Sequence, residues 1–257
     1  MQAAPPRQRD NIQLAATLVL VRETELGIEV YMTQRPGGMD FPDLHVFPGG
    51  KVSADDERWL ESATPPLRGL SASEADQLLG EHNALRYWLA AVRESFEECG
   101  VLLARQAGGG PWVRTDDVDP ARYLEWREAL IDGRLGLSQL CAEQGLEIDL
   151  DALRYFSHWL TPDSVPRRYD TRFFLARMPE AQRTQAHAGE VVSGHWVAPS
   201  AALAHAAAGD WQLIAPTQVT LTALAPYRRL DDLWRAVDAG QHRPELTAEL
   251  RAEGMCE

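Results

Sequence analysis

Four charged side chains able to do chemistry crowd one short stretch of the chain: Arg93, Glu94, Glu97 and Glu98. On a helix advancing about 100° per residue, the three glutamates share one arc, and Arg93 stands four residues before Glu97. Clustered carboxylates of this kind suit a hard cation such as Mg²⁺ or Mn²⁺, which takes oxygen ligands and lets substrate phosphates complete its shell. The same spacing also describes an ordinary solvated helix face, so the pattern by itself leaves both readings open.

Context upstream separates them. Phe47-Pro48-Gly49-Gly50-Lys51 reads as a strand end running into a glycine turn. Glycines there permit positive φ and a close approach of backbone to a ligand. The helix that carries the glutamates spans about residues 83–104. Leu85, Trp88, Leu89, Val92, Phe96 and Cys99 form its core-facing stripe, nearly opposite the glutamates. Gly100 suits the helix end, with Val101-Leu102-Leu103 able to prolong the turn.

The remaining elements must frame this pair. Strands are expected at 12–21 and 28–33, joined by a hairpin turn over 23–27, then a loop over 35–43 and a short strand at 45–47. Residues 51–82 are polar with one short helix at 73–79, and 119–145 reads as helical. Strand-like runs follow at 155–160, 172–176 and 191–197. Helices are expected at 200–208, 216–225 and 230–239. Strands on both sides of a central helix indicate a mixed α/β layered domain rather than a βαβ repeat. Residues 1–11 read as a polar leader, 12–245 as one domain with insertions at about 51–82 and 105–150, and 246–257 as a tail; the insertions could form a small helical cap.

Composition narrows the partners. The chain has 257 residues and a formal net charge of −13. That acidity disfavours a nucleic-acid partner, and a phosphorylated substrate needs a bound cation or local arginines to reverse the field. No apolar run is long enough to span a membrane, and the first residues lack the apolar core of a signal peptide. Cys99, Cys141 and Cys256 are far apart and form no CxxC, as in a reduced cytoplasmic protein. A homodimer is one possible state. No HExxH, no Gly-x-Ser-x-Gly elbow and no P-loop is present.

The glycine turn and the charged helix together resemble the Nudix box, Gly-x5-Glu-x7-Arg-Glu-U-x-Glu-Glu-x-Gly-U, where U is bulky and apolar. The match falls on Gly50, Arg93-Glu94, Glu97-Glu98, Gly100 and Val101. Three departures stand out. Asp56 occupies the position of the first glutamate, Ser95 that of the U after Arg-Glu, and about 29 residues are inserted within the box. A long insertion there is similar to the branch of Nudix proteins that includes the peroxisomal coenzyme A diphosphatases of animals. Ser95-Phe96-Glu97-Glu98, Trp159-Leu160-Thr161-Pro162, Tyr169-Asp170-Thr171-Arg172-Phe173-Phe174 and Trp211 through Thr217 extend that resemblance.

The resemblance implies an α/β/α sandwich, a Nudix-like mixed sheet between helices, with helical insertions. It also implies Mg²⁺- or Mn²⁺-dependent hydrolysis of a pyrophosphate bond in a small nucleoside diphosphate derivative. Coenzyme A or acyl-CoA, giving 3′,5′-ADP and a phosphopantetheine, is the first substrate choice, and ADP-ribose or NADH the alternative. A nucleotide-binding or regulatory module that keeps the fold with little turnover is the alternative of another class. By motif position, Glu94, Glu97 and Glu98 face the metal, Gly50 supplies a carbonyl or the close turn, and Arg93 orients a carboxylate. Glu190 is the candidate proton acceptor and Glu180 the second. Arg35, Gly49, Gly50, Arg167 and Arg168 are the candidates for contact with substrate. His158, Trp159 and Trp196 are assigned to the core or an edge.

Overall fold

A computed structural model of the chain describes residues 12–35, 44–59, 65–162, 167–187, 189 and 191–241. In chain order the elements are β1 (Ile12–Thr24), β2 (Gly27–Gln34), β3 (His45–Val46), β4 (Gly49–Lys51), α1 (Ala54–Arg58), β5 (Leu67–Arg68), α2 (Ala72–Leu79), α3 (Leu85–Cys99), β6 (Ala104–Gln106), α4 (Pro120–Ile131), α5 (Leu137–Gln144), β7 (Leu146–Asp149), β8 (Leu153–Leu160), β9 (Arg168–Arg177), β10 (Ser193–Val197), α6 (Pro199–Ala208), α7 (Ala215–Leu224) and α8 (Leu230–Asp238). The leader, the whole tail, the loop at 36–43 and Glu190 lie outside the described residues.

The main sheet runs β10-β2-β1-β9-β8, with β3 on β2 and β4 on β1. It is mixed: β1 and β9 are parallel, and the other pairings are antiparallel. β1 is its central strand, and its residues sort by parity onto two faces. Ala16, Leu18 and Leu20 pack with Phe174 and Ala176 against α3. Val19 and Val21 pack with Phe173 and Leu175 against α7 and α8. Helices cover both faces, which is why β1 reads as a continuous apolar run rather than an alternation. The result is the expected α/β/α sandwich.

The insertions depart from expectation. They carry helices, but also a second sheet in the order β5-β7-β6. β5 belongs to the first insertion and pairs in parallel with β7 of the second, Leu67 opposite Ile148. A two-residue strand has no periodicity to read, so only its tertiary partner reveals it. The run at 119–145 divides into α4 and α5, with Gly133 at φ +66° between them. A short helix, α1, was not expected. It starts on a capping box, with Ser53 accepting from the Asp56 N–H and the Asp56 carboxylate accepting from the Ser53 N–H. α3 is shorter than predicted. It stops at Gly100, which adopts φ +68° and donates to the Phe96 carbonyl. Val101-Leu102-Leu103 therefore lead into β6 instead of prolonging the helix. β9 reaches back to Arg168, so that arginine lies on a strand and not in the preceding loop. Among the described residues, no helix is long and apolar enough to cross a membrane.

Candidate active site

The glycine turn becomes β4, which hydrogen-bonds to the centre of the sheet through β1. Gly50 lies opposite Ala16 and Gly49 opposite Thr17. The Leu18 N–H donates to the Pro48 carbonyl at 2.8 Å, fixing the turn's entry. Neither glycine has a positive φ. Both are required for closeness instead. A β-carbon on Gly49 would press into the Ala16 carbonyl and Thr17, and one on Gly50 would overlap the Glu94 carboxylate.

α3 lies along this turn. Its predicted apolar stripe is buried throughout, but so is much of the opposite face: Glu94 is 9% exposed and Glu97 only 7%. The solvated-face reading is thus excluded. Buried carboxylates need partners, and the chain supplies an unusually dense set. Arg93 Nη1 donates to Glu94 Oε1 and to Glu97 Oε2, both at 2.8 Å. Its Nη2 donates to the Lys51 carbonyl at 2.7 Å and to Asp56 Oδ2 at 3.0 Å. Its Nε reaches both Asp56 oxygens, at 3.1 and 3.3 Å. Glu98 turns to the glycine turn, where its Oε2 accepts from the Gly49 N–H at 3.2 Å. Burial alone would lower the Arg93 pKa, but Glu94, Asp56 and Glu97 outweigh it and hold the guanidinium above its ordinary value.

Asp56, 1% exposed, is a full member of this cluster. The spacing from Gly50 to Asp56 is that of the uninterrupted box, so the inserted residues enter after Asp56. They loop out, and the chain returns to place Arg93 against the carboxylate. Ser95 also gains a role: it is fully buried, and its hydroxyl donates to the Val101 carbonyl at 3.0 Å, closing the helix end. A bulky apolar side chain could not make that bond.

Beyond the box, the segment after β9 is laid along the last turn of α3. The Gln185 N–H donates to the Cys99 carbonyl at 2.8 Å and the His187 N–H to the Glu98 carbonyl at 3.2 Å. Arg127 Nε donates to the Glu97 carbonyl at 2.8 Å. These satisfy carbonyls that a helix C-terminus leaves open. Their signal in the sequence is absent, because each contact is made by backbone or by a residue distant in the chain.

The structure brings Gly49, Gly50, Arg93, Glu94, Glu97 and Glu98 together and adds Asp56 and the Lys51 carbonyl. The other candidates lie on other elements. Arg35 follows β2, its N–H bound to the Leu44 carbonyl at 3.0 Å. Arg167 precedes β9, and Arg168 Nε donates to the Thr161 carbonyl at 3.1 Å. Glu180 lines a cavity beside Arg177, whose strand neighbour Val21 is five positions from Ala16, about 16 Å along β1. It is not part of the cluster. His158 is bound to Asp170 at 2.8 Å, Trp159 is buried, and Trp196 packs on Tyr31, as a core or edge assignment requires.

The residues fit a divalent cation through the chemistry of their donors. Three carboxylates share one guanidinium, and Glu98 adds a fourth carboxylate beside Gly49. All are hard oxygen donors with charge to spare for a cation. Among the described residues no three His, Cys, Asp or Glu side chains form a finished cage.

Comparison with known proteins identifies the family. A family profile described as the NUDT19 Nudix domain matches residues 7–223. The acyl-coenzyme A diphosphatase NUDT19 of Gallus gallus is 30% identical over 238 residues, which cover 80% of this chain and 63% of that protein. Its Homo sapiens counterpart is 29% identical over 236 residues, with the same coverage. This chain thus spans less than two thirds of the length of those relatives. A Nudix hydrolase crystal structure from Alicyclobacillus acidocaldarius superposes with a TM-score of 0.67 at 26% identity, covering 89% of this chain and 96% of that one. With a matching profile over most of its length and the box residues gathered at one place, the chain belongs to the Nudix family, in the group defined by the NUDT19 Nudix domain.

Proposed function

We propose that the chain is a Nudix pyrophosphohydrolase that cleaves the diphosphate of coenzyme A or acyl-CoA, giving 3′,5′-ADP and a phosphopantetheine. The observation that carries this reading is the buried cluster of Glu94, Glu97 and Asp56 on Arg93, set directly against Gly49 and Gly50. The coenzyme A class is supported by the names of the similar proteins.

The chain's own residues have distinct parts. Glu94, Glu97 and Glu98, with the Gly50 carbonyl, would hold Mg²⁺ or Mn²⁺. A cation there neutralises phosphoryl charge and lowers the pKa of water. Arg93 keeps Glu94 and Glu97 oriented by charge-assisted bonds, and Asp56 keeps Arg93 oriented in turn. The glycines admit a diphosphate close to the backbone because no side chain intervenes. Proton acceptance falls to a further carboxylate, for which Glu190, one residue before the buried Val191, is the candidate. Arg35, Arg167 and Arg168 are the proposed cations for the substrate's remaining phosphates.

The test is a panel of coenzyme A, acetyl-CoA, ADP-ribose and NADH with Mg²⁺ or Mn²⁺, products resolved by chromatography. Release of 3′,5′-ADP from the coenzyme A compounds, faster than any cleavage of the others, is expected. Preferential cleavage of ADP-ribose or NADH would overturn the substrate, and binding of the panel without turnover would overturn the enzyme.

A further inference from the structure

A cavity lies apart from the carboxylate cluster. Its volume is about 910 Å³, within the range of pockets that hold small organic ligands. It lies between the small sheet, the start of β8, the segment after β9 and Trp234 of α8. Two of its walls have the same construction, a guanidinium stacked on an indole. Arg105 lies 4.0 Å over Trp112 and Arg177 lies 4.8 Å over Trp234. Flat faces of this kind stack on planar heteroaromatic rings.

The polar groups are specific as well. Asp149 lines the cavity with its side chain only 6% exposed. Its Oδ2 is held by Arg105, while its buried Oδ1 has no hydrogen-bond partner among the described residues. A buried acceptor left open is costly, and it calls for a donor from whatever occupies the space. Arg105, Arg154 and Arg177 are matched by Asp149, Asp238 and Asp231. Arg183 also lines the cavity, is exposed, and has no acidic partner among the described residues. Arg114 is only loosely paired, 3.5 Å from Asp117. Asp116, Asp151 and Glu180 line the cavity too, so an anion would meet Arg183 first, and Arg114 on giving up Asp117.

The wall bearing Arg183 is rigid. Gln182 is 5% exposed and is bound on both sides: it accepts from the Leu102 N–H at 2.9 Å and donates to the Leu102 and Val113 carbonyls at 2.7 and 3.0 Å. The Thr115 N–H and hydroxyl both donate to the Ala181 carbonyl, each at 3.1 Å. Preorganisation of this kind reduces the ordering cost of binding.

We propose that this cavity is a second, non-catalytic site for a nucleoside monophosphate. Its base stacks on an Arg–Trp wall and gives an amino proton to Asp149 Oδ1, and its phosphate meets Arg183 and Arg114. A bare anion would leave the indole walls and Asp149 unused; a neutral nucleoside would leave the arginines unused.

The experiment is hydrogen–deuterium exchange of the full chain in EDTA, with AMP, adenosine or inorganic phosphate added. EDTA silences cation-dependent phosphate binding at the carboxylate cluster. AMP is expected to protect residues 105–116 and 178–183, and Arg183→Glu to weaken AMP binding about tenfold while leaving the melting temperature unchanged. Trp112→Leu should weaken AMP but not add phosphate affinity. Absence of protection at millimolar AMP, protection confined to the glycine turn and α3, equal protection by inorganic phosphate alone, or unaltered binding by Arg183→Glu would each overturn the proposal.

Discussion

Arg93 is the residue on which the carboxylate cluster depends, and Asp56 is what holds it. With Asp56 removed, a nearly buried guanidinium would face Glu94 and Glu97 with freedom to rotate. Asp56→Ala is expected to cost about 3–5 kcal/mol of stability in urea unfolding, the range for breaking a buried ion pair from one side. Asp56→Glu, which restores the residue type of the box, should recover most of that stability and most of the activity. If Asp56→Ala unfolds with wild-type stability, the ion pair is not structural. Gly50→Ala tests the close approach: its methyl group enters the Glu94 carboxylate, so hydrolysis should fall at least about 100-fold, since small displacements at a reacting centre are costly. Much of this was legible beforehand. The spacing of Arg93, Glu94, Glu97 and Glu98 and the two glycines pointed to one site, whereas Asp56 stood only as a departure from the box. The burial of Glu94 and Glu97 was not legible, because β4 and α1 cover them from a distant part of the chain. A helical wheel shows which side chains share a face, not what lies over that face.

At the scale of elements, two glycines carry specific demands. Gly100 ends α3 in a left-handed conformation, so Gly100→Ala should destabilise by about 1–2 kcal/mol. Gly194 of β10 lies under the Tyr31 hydroxyl, and a methyl group there would overlap it. Gly194→Ala should cost about 1–3 kcal/mol through forced movement of Tyr31, measured by the same urea titration; an unchanged midpoint would show that Tyr31 moves freely. Strands and helices of the sandwich were readable from apolar patterning, since each buries a long face. The elements missed were short ones made by partners: β4, which pairs with β1, the strands β5, β6 and β7 of the small sheet, and α1, visible only once Ser53 and Asp56 are seen to cap each other. The division of the helical run at 119–145 came from Gly133, a residue whose positive φ the surrounding pattern did not announce.

At the scale of the whole molecule, burial leaves a signature in the pH dependence of folding. Burial, with the Glu98 charge second, pushes the Cys99 thiol up to about 12, and burial pushes Cys141 to about 12 as well. In the unfolded chain both ionise near the ordinary value of 9.0. Above that pH the unfolded state sheds its protons first and is favoured. Stability from these thiols is therefore complete below about pH 9 and declines from there towards pH 12, each with a slope of up to about 1.4 kcal/mol per pH unit. Urea unfolding between pH 8 and 10 should show this decline, and Cys99→Ala/Cys141→Ala should flatten it; equal slopes would contradict the burial of the thiols. The same core sets α3 against the glycine turn, and the proposed hydrolysis depends on that placement. The most direct test of it is hydrolysis of coenzyme A as Mg²⁺ is titrated, with the unaltered chain and Glu97→Gln compared side by side. The amide keeps the shape of Glu97 and removes its charge. The expected result is Mg²⁺-dependent release of 3′,5′-ADP by the unaltered chain and a loss of at least about 1,000-fold in Glu97→Gln, with both melting alike. A Glu97→Gln variant that keeps most of the activity, or turnover indifferent to Mg²⁺, would contradict the assignment of the α3 carboxylates as the catalytic centre.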